Sequence, residues 1–203
     1  DVCSSDLERI LNRLRDDHRN INGLLRILGR QLAGIRRGDR PDYRLMYDIV
    51  HYLTYYPDRF HHPFEDVMFA RLIRRRPEFA TLVDGIEKEH QEGCKLRVMI
   101  GEIIDGLLVP RDALLQAGAV YVNTYRVHMQ NEEDTLFDAL ADSFQPADWM
   151  VLTSAFHWQP DPVFSGEAFR EYSHLRDCIS AEGAGAWPWN DIDSHTCAVC
   201  SDA

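Results

Sequence analysis

Between Leu7 and Arg37 apolar side chains recur at alternating intervals of three and four residues, the repeat that gathers them on one face of an α-helix. Leu11, Leu14, His18, Ile21, Leu25, Leu28, Leu32 and Ile35 make up the stripe, and every member is aliphatic except His18. A stripe this long stays in water only if other helices cover it. Gly38-Asp39-Arg40-Pro41 ends the segment, with Asp42 placed to cap the next one.

Three further helical segments are expected. The second runs from about Asp42 to Arg75, with Met46, Ile49, Val50 and Leu53 on its apolar side. Pro57 and Pro63 must kink or restart it, since each removes a backbone donor and crowds the preceding turn. The third starts near Pro77, a favoured first-turn residue, and presents Phe79, Val83, Ile86, His90, Ile100, Ile104 and Leu107. The fourth follows Val109-Pro110-Arg111-Asp112 and reaches about Phe144, with Leu114, Gly118, Tyr121, Tyr125, His128, Glu132 and Leu136 facing inward. No strand alternation, hairpin signal or solenoid-length repeat competes. The expected fold is all-α: an antiparallel up-down-up-down four-helix bundle over residues 8–144, with a short helical and irregular C-terminal extension over 145–203. The extension holds Trp149, Trp158, Trp187 and Trp189. Ala147–Phe156 and Glu167–Ile179 are its expected short helices, and its last stretch is expected to be loose. Residues 1–7 resemble the translation of a sequencing-library adapter; they are expected to be a non-native start and carry no weight in the fold.

Composition narrows the function. Acidic residues number 33 against 22 basic, a formal charge of −11, which opposes a nucleic-acid groove or an anionic membrane surface as partner. No apolar run approaches the ~20 residues that span a bilayer. The five cysteines, Cys3, Cys94, Cys178, Cys197 and Cys200, are too few and too scattered for a disulfide framework. With no basic-then-apolar leader visible, they point to a reducing cytoplasm.

The chemistry lies in the histidines. Each expected helix places one within or beside its apolar stripe: His18, His61, His90 and His128. Two are followed four residues on by Glu, at His61/Glu65 and His128/Glu132, so that each pair sits on one helix face and aims at one point. A buried carboxylate costs several kcal/mol unless it is paired or metal-bound. One such histidine is ordinarily a hydrogen-bonded core residue. Four, one per helix and with two Glu companions, fit a metal cluster better, and imidazole with carboxylate suits Fe, Mn or Zn.

The run Phe60-His61-His62-Pro63-Phe64-Glu65-Asp66, with His18 upstream and His90 and His128-x-x-x-Glu132 downstream, resembles the hemerythrin-like (HHE cation-binding) domain over about Glu8 to Ala141. The resemblance implies a non-haem centre of two Fe ions, with Mn or Zn as second choices. Glu65 and Glu132 would bridge the metals, and His18, His61, His90 and His128 would be terminal ligands. Oxygen-carrying hemerythrins have two histidines one turn apart on the third helix, whereas here Cys94 stands four residues after His90. The site therefore resembles the six-ligand type of bacterial iron-sulfur cluster repair proteins and of the iron-sensing domain of eukaryotic F-box proteins. Fewer ligands leave metal positions open, which shifts the expectation from oxygen storage towards O₂, peroxide, nitric oxide or labile iron.

Several neighbours have two readings. His62 points about 100° away from His61 on a regular helix, an outer-shell or surface position. His62/Asp66 repeats the i,i+4 spacing and is the substitute pair if Pro63 shifts the register; Glu133 beside Glu132 raises the same question. Tyr121 and Tyr125 precede His128 on its face, as core packing or as hydrogen-bond donors to a ligand. Cys94 reads as inert packing before a thiolate neighbour. Cys197-Ala-Val-Cys200 is a redox dithiol or half a zinc site, with only His195 nearby. The basic run Arg71–Arg76 complements a helix C-terminus.

The leading expectation is a cytoplasmic di-iron protein that binds or reacts with O₂, peroxide or nitric oxide in stress response or iron handling, including oxidoreductase chemistry. Its alternative is an iron or redox sensor that signals through the C-terminal extension to a protein partner or a second copy. A metal-free structural bundle is the third.

Overall fold

The computed structural model describes residues 2–89, 93–155, 159–165 and 170–182, and among these every regular element is helical. Helix α1 (Val2–Arg37) is unbroken, and its predicted stripe is buried along its length. Gly38 ends it at φ 92°, a left-handed conformation open to glycine. The Gly38 amide donates to Ile35 O and the Asp39 amide to Gly34 O, at 3.0 and 2.9 Å, which satisfies two terminal carbonyls. The next helix, α2 (Tyr43–Leu53), starts where expected: Asp42 Oδ1 accepts the Leu45 amide at 2.9 Å.

The second and fourth segments are not continuous α-helices. A π-helical turn at Pro57–His61 separates α2 from α3 (His62–Arg75). The third segment is a 3₁₀ turn at Pro77–Phe79 followed by α4 (Ala80–Glu89) and α5 (Gly93–Ile104). In the fourth, α6 (Arg111–Asn131) passes into a π-helical turn at Glu132–Leu136 and then α7 (Phe137–Ser143). The expected inward row of the third segment is corrected at its end. Ile104 and Leu107 are exposed, because the helix stops at Ile104 and Gly106 turns the chain at φ 83°.

The bundle packs α1 against α2 and α6, and α5 against α2 and α6. Two apolar clusters result. One gathers Ile21–Ile35 of α1 with α2, α5 and α6; the other gathers Ile10–Leu14 of α1 with α3, α4 and α7. On three of the long segments the clusters part at a polar stretch: between Leu14 and Ile21, between Tyr56 and Phe64, and between Met129 and Leu136. The candidate site fills that gap.

Two later helices lie against the bundle. α8 (Pro146–Ala155) packs on α1 and buries Trp149 against Phe144, while α9 (Ser173–Glu182) packs on α2 through Leu175 and Ile179. Part of the basic run is tied down here: Arg71 and Arg75 donate to the buried Asp148 at 2.6 and 2.7 Å. Among the described residues no helix is long and apolar enough to cross a membrane.

Candidate metal centre

Three of the four long segments supply the box: α1 gives His18, the first π turn and α3 give His61, His62 and Glu65, and the fourth segment gives His128 from α6 and Glu132 from the second π turn. All six side chains are buried, and both glutamates are wholly so. His18 Nε2 lies 3.1 Å from His61 Nε2, 3.7 Å from Glu65 Oε1 and 3.4 Å from Glu132 Oε2. Each predicted i,i+4 pair closes, with His61 Nε2 at 3.1 Å from Glu65 Oε1 and His128 Nε2 at 3.3 Å from Glu132 Oε1.

Candidate ligand atoms fall into two groups whose members lie within 4.8 Å of one another: His18, His61 and Glu65, and His62, Glu65 and His128. Glu65 is common to both. His62 is thus inside the box, not on the surface. The expectation for His62 assumed a regular helix, whereas the π turn ending at His61 adds a residue to the turn and re-phases the start of α3. The His62 Nδ1 is 2.9 Å from Asp58 Oδ1, one turn back.

A common second layer orients the imidazoles. His18 Nδ1 lies 2.8 Å from Glu133 Oε1, His61 Nδ1 lies 3.3 Å from Asp17 Oδ2, and His62 Nδ1 meets Asp58. A carboxylate on Nδ1 holds the proton there and turns Nε2 towards the box, as carboxylate–histidine pairs do around metals. Asp17 is itself buried and lies 3.3 Å from Arg13 Nε. Sequence reading missed Asp17 and Asp58 and saw Glu133 only as a register alternative. The i,i+4 spacing of Asp58 and His62 was the one local signal.

The charges inside are unbalanced. Burial opposes ionisation of Glu65, but the His61 and His18 imidazoles outweigh it and hold its carboxyl well below the usual range. Burial pushes Glu132 well above that range, and the Glu65 charge pushes it further. His61 is disfavoured as a cation by burial, yet the Glu65 and Asp17 carboxylates raise it well above an ordinary histidine. None of the four carboxylate oxygens of Glu65 and Glu132, all buried, accepts a well-formed hydrogen bond. Buried acceptors normally find donors. Four such acceptors, ringed by imidazoles of which His18, His61 and His62 are anchored at Nδ1, fit a cation.

Tyr121 and Tyr125 stand over the His128 end, with ring centroids of Tyr125 and His128 5.9 Å apart and the two tyrosines edge-on at 5.7 Å. The Tyr125 hydroxyl is buried without a hydrogen-bond partner, and burial raises it well above a free phenol, so it stays an O–H donor. His90, Cys197, Cys200 and His195, as well as the Cys94 side chain, lie outside the described residues.

The family profile described as the hemerythrin HHE cation binding domain matches residues 9–140, which include every residue of the box. Searches of curated proteins and of solved structures return no match. With more than half of its length covered by that match, and a buried imidazole–carboxylate box within it, the chain belongs to the hemerythrin HHE cation-binding family.

Proposed function

We propose that the chain is a non-haem di-iron protein that binds or reacts with O₂, peroxide or nitric oxide. The observation that carries the reading is the pair of buried glutamates whose four oxygens lack hydrogen-bond donors, with Glu65 common to both candidate ligand groups. A carboxylate shared between two groups suits a bridge between two ions. In this reading His18 and His61 would hold one ion and His62 and His128 the other, Glu65 and Glu132 would serve both, and His90 would be a further terminal ligand. Mn or Zn would suit the same donors less well as a redox pair.

Bound iron would supply redox chemistry towards a small ligand; the chain's own residues shape what reaches it. Asp17, Asp58 and Glu133 fix the imidazole tautomers. Phe137, stacked on His18 at 5.7 Å between centroids, and the flanking leucines exclude bulk water. Tyr125 offers its hydroxyl proton as a hydrogen bond to a polar ligand at the His128 end.

Rapid mixing of anaerobic ferrous-loaded protein with O₂, hydrogen peroxide and nitric oxide, followed by absorption spectroscopy, tests the reading. A ligand-specific spectral change that weakens in Tyr125→Phe supports it. Iron retained without response to any of the three would reject reactivity and favour the sensing or iron-holding alternative.

A further inference from the structure

Away from the metal box, where α9 lies on α2, three side chains form a relay that the centre does not use. Cys178 Sγ sits 3.6 Å from His174 Nε2, and His174 Nδ1 sits 2.6 Å from Asp48 Oδ2. The thiol and the imidazole are one turn apart on α9. The carboxylate comes from α2, is buried, and has its other oxygen 3.0 Å from Arg44 Nε. Cys178 is half-buried, and the His174 side chain is 44% exposed, so small solutes can reach the pair.

We propose that Cys178 is a reactive thiol, activated by His174 and Asp48, that is oxidised by hydrogen peroxide. A nucleophile bonded to a base, with the base oriented by a third group, is the arrangement that turns a weak thiol into a thiolate. The Nδ1–H of His174 donates to Asp48, which leaves the Nε2 lone pair facing the thiol to take its proton. The thiolate sulfur then attacks one peroxide oxygen and the O–O bond breaks. The second oxygen leaves as hydroxide and takes the proton from His174 to become water. Sulfur is oxidised by two electrons to the sulfenic acid, and the peroxide is reduced by two.

The site is independent of the metal centre, so it is tested on the full chain in chelator, where no iron consumes peroxide. Residue-resolved mass spectrometry would follow alkylation by iodoacetamide and peroxide-dependent trapping of sulfenic acid by a cyclic dione. Cys178 is expected to alkylate at pH 7 faster than the same residue in the urea-unfolded chain, despite its partial burial. That rate should fall about tenfold in His174→Gln and several-fold in Asp48→Asn, with dione trapping falling in parallel. The direction separates activation from packing: a variant that merely loosened α9 would expose the thiol and speed alkylation. If Asp48→Asn does not fold, the exposed His174→Gln carries the test. A folded-state rate at or below the unfolded one, or no change in His174→Gln, would overturn the proposal.

Discussion

Helix α1 runs through two different environments. Above His18 its buried face is a run of leucines, of which Leu24, Leu25, Leu28 and Leu32 are entirely shielded from water and hold no polar atom. At His18 the same face enters a box of imidazoles and carboxylates. The leucine region stabilises the fold by removing apolar surface from water, and its neighbours are close enough that a Cβ on Gly118 would come within 2.6 Å of the Leu32 methyls. The box costs stability when empty, since it gathers two carboxylates where only one ionises readily. Backbone regularity differs likewise. Through the leucine region the helices are plain α, while both segments that supply an HxxxE pair carry a π turn at it. Such turns cluster at functional sites because they re-aim side chains that a regular helix would misplace.

Four substitutions set the regions against each other. Leu28→Ala should have the largest effect, about 2–5 kcal/mol of lost stability in thermal or urea unfolding, with metal content unchanged. Glu133→Gln and Asp17→Asn should leave the fold standing but weaken metal binding about 10–100-fold in a competition titration, since each frees an imidazole from its anchor.

Asp148→Ala lies in neither region and calibrates both. The Asp148 carboxylate accepts the Gln145 amide at 2.8 Å and holds Arg71 and Arg75, so its loss should cost about 1–2 kcal/mol. Burial pushes its carboxyl up, but the Gln145 amide and the two guanidiniums outweigh this and hold it below the usual range. A carboxyl lower in the folded than in the unfolded state contributes fully above about pH 4 and fades as pH falls through the folded value. The gap between wild type and Asp148→Ala in urea unfolding should therefore narrow in acid. A gap constant down to pH 2 would contradict the ion-pair account.

The smallest effect is the sharpest contrast. Glu132→Gln in metal-free buffer should change stability by less than about 1 kcal/mol or raise it, because it removes a carboxyl that burial and Glu65 already disfavour. A loss as large as that of Leu28→Ala would mean that the box is a structural core.

The leucine region was the legible part. The stripe from Leu11 to Ile35, the stop at Gly38 and the cap at Asp42 are written in local spacing, and they survive into the structure because nothing long-range contradicts them. The box was legible in its donors but not in its phase. A π turn shifts one hydrogen-bond register without a compositional mark, so Pro57 signalled a break while the inward swing of His62 stayed hidden. The orienting layer was less visible, since His18 and Glu133 meet across 115 positions. The Asp48–His174 contact spans 126 positions and had no motif to announce it. Long-range pairing of single polar residues has no periodicity for a reader to find.

In the proposed reading the box is a two-metal centre that shares Glu65 and Glu132. Metal per chain, measured by elemental analysis after anaerobic ferrous loading and desalting, tests it most directly. The account predicts about two irons in wild type and a sharp fall in both Glu65→Ala and Glu132→Ala, as loss of either shared carboxylate requires. Wild-type protein that retains no iron, or glutamate variants that retain as much as wild type, would contradict it.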